Sequence, residues 1–324
     1  MKDAFIQALT LDSLAELQHI PKSDLHNHAG RGGSMSYIGQ WAGTAIHPPI
    51  QPFEDLSEMQ QWFEENIKVH CQGLQGYLKR IEASFAQAHQ DQVTVLSMSF
   101  GMGEVDSLGS MEHFMTTINE LHQLFAPRTK FYPELALDRA DRPEAILNRV
   151  EELFSYGWFT SIDICNNELA QPITAFKPVY RCAQSYGVKL RAHVGEFGSA
   201  DDVMEAVEEL ELQEVHHGIA AAASPQIMKW LANHLITLHI CPTSNVMLKV
   251  ADSYDKHPIR TLFDHGVPVT INTDDLLIFN QSVSEEYLNL FRSGLMTPEE
   301  LNLIREYGLN DYNSSRKSSV DPSF

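Results

Sequence analysis

Four short stretches carry residue types that bind metals or move protons. His26-Asn27-His28 sets two imidazoles at i and i+2, which in extended chain face the same way. That is the spacing of a paired-nitrogen metal site. Leu190 to Ser199 reads LRAHVGEFGS, where His193 offers a third nitrogen and Glu196 a carboxyl for proton transfer. In regular extended geometry Glu196, three residues on, would face away from His193; Gly195 permits a bend or bulge that re-aims it. Asn272-Thr273-Asp274-Asp275 ends an otherwise apolar run with two adjacent carboxylates, whose unpaired burial would cost on the order of several kcal/mol. A cation accounts for them, one carboxylate ligating and the other acting from a turn, and strand parity leaves open which does which. In Val215-His216-His217-Gly218, alternation turns one imidazole in and one out. His217, beside Gly218, is the pocket candidate, and His216 reads as a barrel-outer or loop residue.

These stretches need a scaffold that brings strand ends together. Apolar, β-branched runs alternate with helical periodicity from near residue 20 to near residue 310, the pattern of a parallel sheet with crossover helices. Strands are expected at Ser23–His28, Val93–Phe100, Lys130–Leu137, Phe159–Cys165, Lys189–Glu196, Glu214–Ile219, Thr237–Asn245 and Val267–Asp275. Helices are expected at Met111–Phe125, Pro143–Tyr156, Pro172–Tyr186, Ala200–Leu210, Pro225–Ala232 and His257–His265. Ser199 reads as an N-cap, and Ser224 as another followed by Pro225 in the first turn. Eight strands with intervening helices predict an α/β fold, a (β/α)₈ TIM barrel, with a doubly wound open sheet as the runner-up. Its pocket lies at the C-terminal strand ends.

The chain of 324 residues is expected to form a single domain. About 65 residues separate the first two strands, too many for one ordinary crossover. Residues 34–85 are read as a helical insertion plus crossover helix, the latter from about Met59 to Ser84. Tyr37, Trp41, Phe53, Trp62 and Phe63 lie there and either pack the insertion onto the barrel or form a lid. Residues 314–324 form a polar tail.

Composition narrows the partners. With 43% hydrophobic and 20% charged residues the chain is globular, and a net charge of −20 argues against nucleic acid or an anionic membrane surface. The first residues form neither a signal peptide nor a membrane span. Cys71, Cys165, Cys182 and Cys241 are scattered and read as reduced thiols of a cytoplasmic protein. The expected partner is a small molecule; nothing in the sequence speaks to oligomeric state.

In five motifs, DLHNH, HVGEFGS, HHG, ICPTSN and INTDD, the chain resembles the adenosine deaminase branch of the metal-dependent amidohydrolases. They occur in the family's order and span the barrel. The resemblance implies one zinc ion per chain held by His26, His28, His193 and Asp274. It makes Glu196 the proton donor to the ring nitrogen beside the amino-bearing carbon. His217 would orient the attacking hydroxide, and Asp275 would hold it together with a ring nitrogen of the base. Gly195 and Asn166 would also line the substrate. The fourth strand, Ile162-Asp163-Ile164-Cys165, lacks the lysine that bridges two metals in dinuclear relatives, so one metal is expected.

The implied reaction is hydrolytic deamination of an aminopurine or its nucleoside, an adenosine-like substrate giving an inosine-like product and ammonia. Two positions depart from the family. Ala29-Gly30-Arg31-Gly32-Gly33 lacks the usual acid for the ribose 5′ hydroxyl, and Asn166 stands where a glycine approaches the purine. Adenine, a modified adenosine or a pterin are therefore alternatives. So are a cyclic amide or ester hydrolase and a non-catalytic ligand-binding relative. The glycine-rich run either cradles a charged group with Arg31 or is a flexible turn. Glu104, Asp106 and Asp138-Arg139 lie in loops on the same face, where they either set substrate choice or are merely solvated.

Overall fold

In the computed structural model, which describes residues 1–314, the apolar runs form β1 (Lys22–Asp24), β2 (Val93–Gly101), β3 (Lys130–Asp138), β4 (Ser161–Cys165), β5 (Lys189–Leu190), β6 (His193–Val194), β7 (Glu214–His217), β8 (Thr237–Ile240) and β9 (Val269–Ile271). All pair in parallel, in the orders β1-β2-β3-β4-β5 and β6-β7-β8-β9. β5 and β6 are the two ends of one pass. Between them the Arg191 N–H donates to the Ile162 carbonyl at 3.0 Å, and the Ala192 carbonyl accepts from His216 N–H at 2.9 Å. At the other seam Asp274 N–H donates to the His26 carbonyl at 2.9 Å and His28 N–H to that of Asp274 at 3.3 Å. The eight passes are those of the expected (β/α)₈ barrel.

Most of the expected strands overrun the observed ones at their C-terminal ends. Asn245, read as strand, lies in the short helix Pro242–Met247, which starts with proline in its first turn. Helices Met111–Phe125 and Ala200–Leu210 have the bounds their periodicity predicts. Ser199 accepts from Asp202 N–H while the Asp202 carboxylate takes the Ser199 N–H at 2.7 Å, a reciprocal cap. Helices Lys2–Thr10, Val283–Arg292 and Pro298–Ser314, absent from the sequence reading, pack together against β1 and β9. Residues 315–324 of the expected tail lie outside the described residues. Among the described residues no helix is long and apolar enough to cross a membrane.

Between β1 and β2 the chain forms helices Met35–Ala42, Leu56–Asn66 and Gly73–Gln90. The crossover helix is the third, not a continuous Met59–Ser84. The break follows from close packing: a Cβ on Gly76 would stand 1.9 Å from the Cys71 carbonyl oxygen, so the chain doubles back there. Phe53, Met59, Phe63 and Ile67 form a second apolar cluster with Leu277, Ile278 and Phe279 beyond β9. Trp62 and Tyr37 are half-buried against it, while Trp41 stays exposed. These aromatics seat the segment over the strand ends.

Beneath the site the barrel interior is ionic. Arg191 is fully buried and bonds Glu134 at 2.7 Å, Glu214 at 2.6 Å and Ser97 at 2.8 Å. Glu134 also accepts from His216 at 2.9 Å, and Glu214 meets His239 at 3.0 Å. Breaking one partner out of such a layer costs roughly 3–5 kcal/mol, because the others are left as buried charge.

Candidate active site

The strand ends converge on one cavity of about 550 Å³, lined among others by His28, His193, Glu196, His217, Asp274 and Asp275. His26 Nε2 and His193 Nε2 approach to 3.0 Å. Asp274 Oδ1 stands 3.3 Å from His26 Nε2 and 3.1 Å from His28 Nε2. The other ring nitrogens are occupied: His193 Nδ1 by Asp163 Oδ2 at 2.8 Å, His28 Nδ1 by Ser99 Oγ at 2.9 Å, and His26 Nδ1 by the His239 carbonyl at 3.3 Å. With those Nδ1 atoms protonated, three Nε2 lone pairs and a carboxylate oxygen face one another. One cation at their common point would satisfy all four, so the set fits a divalent metal. Ser244 Oγ donates to the second oxygen of Asp274 at 2.6 Å and fixes its rotation.

Strand parity had left Asp274 and Asp275 undecided, and the backbone explains why. Asp274 has φ +59°, a left-handed residue that breaks the alternation and turns its carboxylate toward the histidines. Asp275 meets Arg31 instead, Oδ2 to Nη1 at 2.9 Å, and its Oδ1 is buried without a hydrogen-bond partner. The same device corrects the reading of His216. His217 has φ +62°, so both neighbours reach the interior, and His216 is a fully buried barrel residue rather than an outer or loop one.

Gly195 has φ +70°, and a Cβ there would meet Val203 Cγ2 at 2.3 Å. It turns the chain but packs against Val203 and Gly218 rather than lining the cavity. The turn presents Glu196, whose Oε2 lies 3.5 Å from His217 Nε2. Burial, then the charges of Asp274, Glu168 and Asp275, push the Glu196 carboxyl well above the ordinary carboxylate range. That environment favours the protonated carboxyl. Burial and the adjacent His26 push His217 well below 6.5, so its ring is neutral.

Its tautomer is set from outside. Ile259 N–H donates to His257 Nδ1 at 3.1 Å, which leaves the proton of His257 on Nε2, facing Asn245 Oδ1 at 3.2 Å. Asn245 Nδ2 then donates to His217 Nδ1 at 3.2 Å. The proton of His217 thus sits on Nε2, toward Glu196 and Asp274.

Sequence reasoning missed Ser99, Asp163, Glu168, Ser244, Asn245 and His257 as supports. Asp163 had a signal, a carboxylate alternating with Ile162 and Ile164 in an apolar strand. Glu168 accepts the N–H groups of Phe197 at 2.9 Å and Glu196 at 3.3 Å and so holds the turn. Asn166, with φ +68°, lines the cavity but bonds Asp138 Oδ2 at 2.8 Å. The glycine run forms a turn, as one of its two sequence readings had it, with Arg31 N–H donating to the His28 carbonyl at 2.8 Å. A Cβ on Gly32 would stand 2.0 Å from Asn27 Oδ1, and one on Gly33 2.5 Å from Ala83 Cβ, so both are close-packed.

Residues 110–312 match the family model described as adenosine deaminase. A putative adenosine/adenine deaminase of Treponema pallidum is 31% identical over 288 residues, 89% of this chain and 96% of that protein. Other curated relatives align over about half their length, 46% for one adenosine deaminase. The solved adenine deaminase of Arthrobacter aurescens superposes with a TM-score of 0.77 at 20% identity, covering 93% of this chain and 94% of that one. A zinc-bound amidohydrolase from Burkhoderia ambifaria superposes with a TM-score of 0.73 at 20% identity, covering 95% and 91%.

Proposed function

The chain belongs to the adenosine deaminase family and is a hydrolytic deaminase of aminopurines or their nucleosides, and we propose that it works with one zinc ion held by His26, His28, His193 and Asp274. The observation that carries this reading is one cavity onto which that clustered ligand set and the raised carboxyl of Glu196 both open. Zinc would supply a nucleophile at neutral pH by lowering the pKa of its water from 15.7 to about 7.

The chain's own residues do the rest. Glu196 gives its proton to the ring nitrogen beside the amino-bearing carbon, which lets the ring take up the electrons displaced by attack. Neutral His217, with its proton on Nε2, holds the attacking oxygen by donating to it. Asp275 offers its unpartnered Oδ1 to a donor on the substrate or the nucleophile. The C–O bond forms, the C–N bond breaks, and the amino group leaves as ammonia with a proton gained in the site. The lid helix Leu56–Asn66 covers the mouth through Leu56, Met59 and Phe63. Fluorescence or absorbance screening of adenine, adenosine, modified adenosines and pterins with zinc present, alongside ammonia release, tests the reading. Turnover of an aminopurine supports it, and no spectral change or ammonia across the panel rejects it.

A further inference from the structure

The residue two positions beyond His28 is Gly30, and the space its missing side chain leaves is bordered by a carboxylate from just beyond another strand. A Cβ on Gly30 would lie 3.3 Å from Glu104 Oε1. Glu104 follows β2 and lines the same cavity. Its Oε2 is fixed by the Gly101 N–H at 2.8 Å, while Oε1 has no hydrogen-bond partner among the described residues. Two guanidinium groups stand close, yet both are committed elsewhere. Arg31 holds Asp275 and Gln60, and Arg80 holds the carbonyls of Gly30 and Cys71 at 2.9 Å each.

An anchored carboxylate with one open oxygen is an acceptor waiting for a donor. Burial raises the pKa of Glu104, so a donor from the ligand would relieve the cost of holding its charge there. The cavity lining carries seven carboxylates against three cationic side chains, Arg31, Arg80 and Lys68, and Lys68 is paired with Glu64. A phosphate would meet a lining in which carboxylates outnumber cationic side chains, with Arg31 already paired to Asp275.

Resting on the deaminase reading above, we propose that Glu104 is a specificity-determining residue: its free oxygen accepts a hydrogen bond from a neutral donor at the end of the substrate remote from the amino group, and it disfavours the phosphorylated form. The donor is either a ribosyl hydroxyl or a ring N–H. A charged acceptor satisfied in this way contributes about 10- to 100-fold in affinity.

The test is calorimetric binding of reaction products, which needs no turnover. Inosine is compared with 5′-deoxyinosine, and hypoxanthine with 9-methylhypoxanthine, on the zinc-loaded protein and its Glu104→Ala and Glu104→Gln variants, with thermal midpoints confirming that each folds. Glutamine keeps an oxygen for Gly101 and loses the charge, so it guards against a folding artefact of the alanine. The expected result is a loss of about 10- to 100-fold in Glu104→Ala for one donor-bearing ligand, with little change for its partner lacking that donor. The pair that responds identifies hydroxyl or ring N–H. Inosine 5′-monophosphate should bind the parent at least tenfold more weakly than inosine, and Glu104→Gln should narrow that gap. Equal losses within both pairs, or none, overturn the role of Glu104 while aminopurine turnover by the parent leaves the deaminase reading standing. A parent that neither turns over aminopurines nor binds these products overturns both.

Discussion

Arg31 stands with Nη1 2.9 Å from Asp275 Oδ2, and its guanidinium lies over the ring of Phe63 at 4.6 Å. Its second arm donates to Gln60. One side chain thus ties the lid helix Leu56–Asn66 to a carboxylate of the site. Arg31→Ala should lower kcat/KM by about 10- to 100-fold, and Arg31→Lys should recover little, because an ammonium cannot serve Asp275 and Gln60 in one plane while stacking on Phe63. Steady-state kinetics of the two variants decide it; full recovery by lysine would show that charge alone matters.

Glu196→Gln removes the transferable proton and keeps the size. Ammonia release should fall by about 10²- to 10⁴-fold, while product binding measured by calorimetry stays close to the parent's. Retention of turnover would reassign the proton donor.

Asp163→Asn should weaken metal binding by about 10- to 100-fold, the range for lost partners of ligating histidines. Asp163 Oδ2 accepts from His193 Nδ1 at 2.8 Å, and an amide gives up the charge that makes the imidazole a better ligand. Competition against a chromophoric chelator measures it, and metal analysis of the parent should return one ion per chain.

Asn245→Asp replaces a donor to His217 Nδ1 with an acceptor and drives the proton of His217 onto the wrong nitrogen. The expected loss is in kcat, about 100-fold or more by analogy with tautomer reversal in a catalytic triad, with KM nearly unchanged. A purely structural role would instead lower the thermal midpoint and spare kcat.

Stability should fall in mild acid. Burial lowers the pKa of His257 to about 3 and that of His239 to about 4, against about 6.5 unfolded. The unfolded chain binds more protons between those values, so stability rises with pH across that window. The contribution is complete above about 6.5 and shrinks as pH falls toward 4 and then 3, by roughly 1.4 kcal/mol per pH unit for each group. Urea midpoints at several pH values should show this slope, and His257→Gln should flatten it; an unchanged slope sinks the assignment.

Much of the site was legible because chemistry and secondary structure agreed. His26 and His28 announced themselves by spacing, Gly195 by the need to re-aim Glu196, and the parallel alternation by its β-branched runs. Parity failed where the backbone turns left-handed at His217 and Asp274, since neither is the glycine that such a conformation most favours. The break before Gly73–Gln90 was hidden because Gly76 looks like a tolerated helix glycine until Cys71 is seen folded onto it. Supports such as Asn245 and His257 act through contacts distant in sequence, and Glu168 serves a turn 28 residues away.

The ionic layer of Arg191, Glu134, Glu214, His216 and His239 bears on traffic. None of these residues is more than 2% exposed, and together they plug the barrel axis below the histidines. The site has no through-passage there, so ammonia departs by the mouth that admitted the substrate.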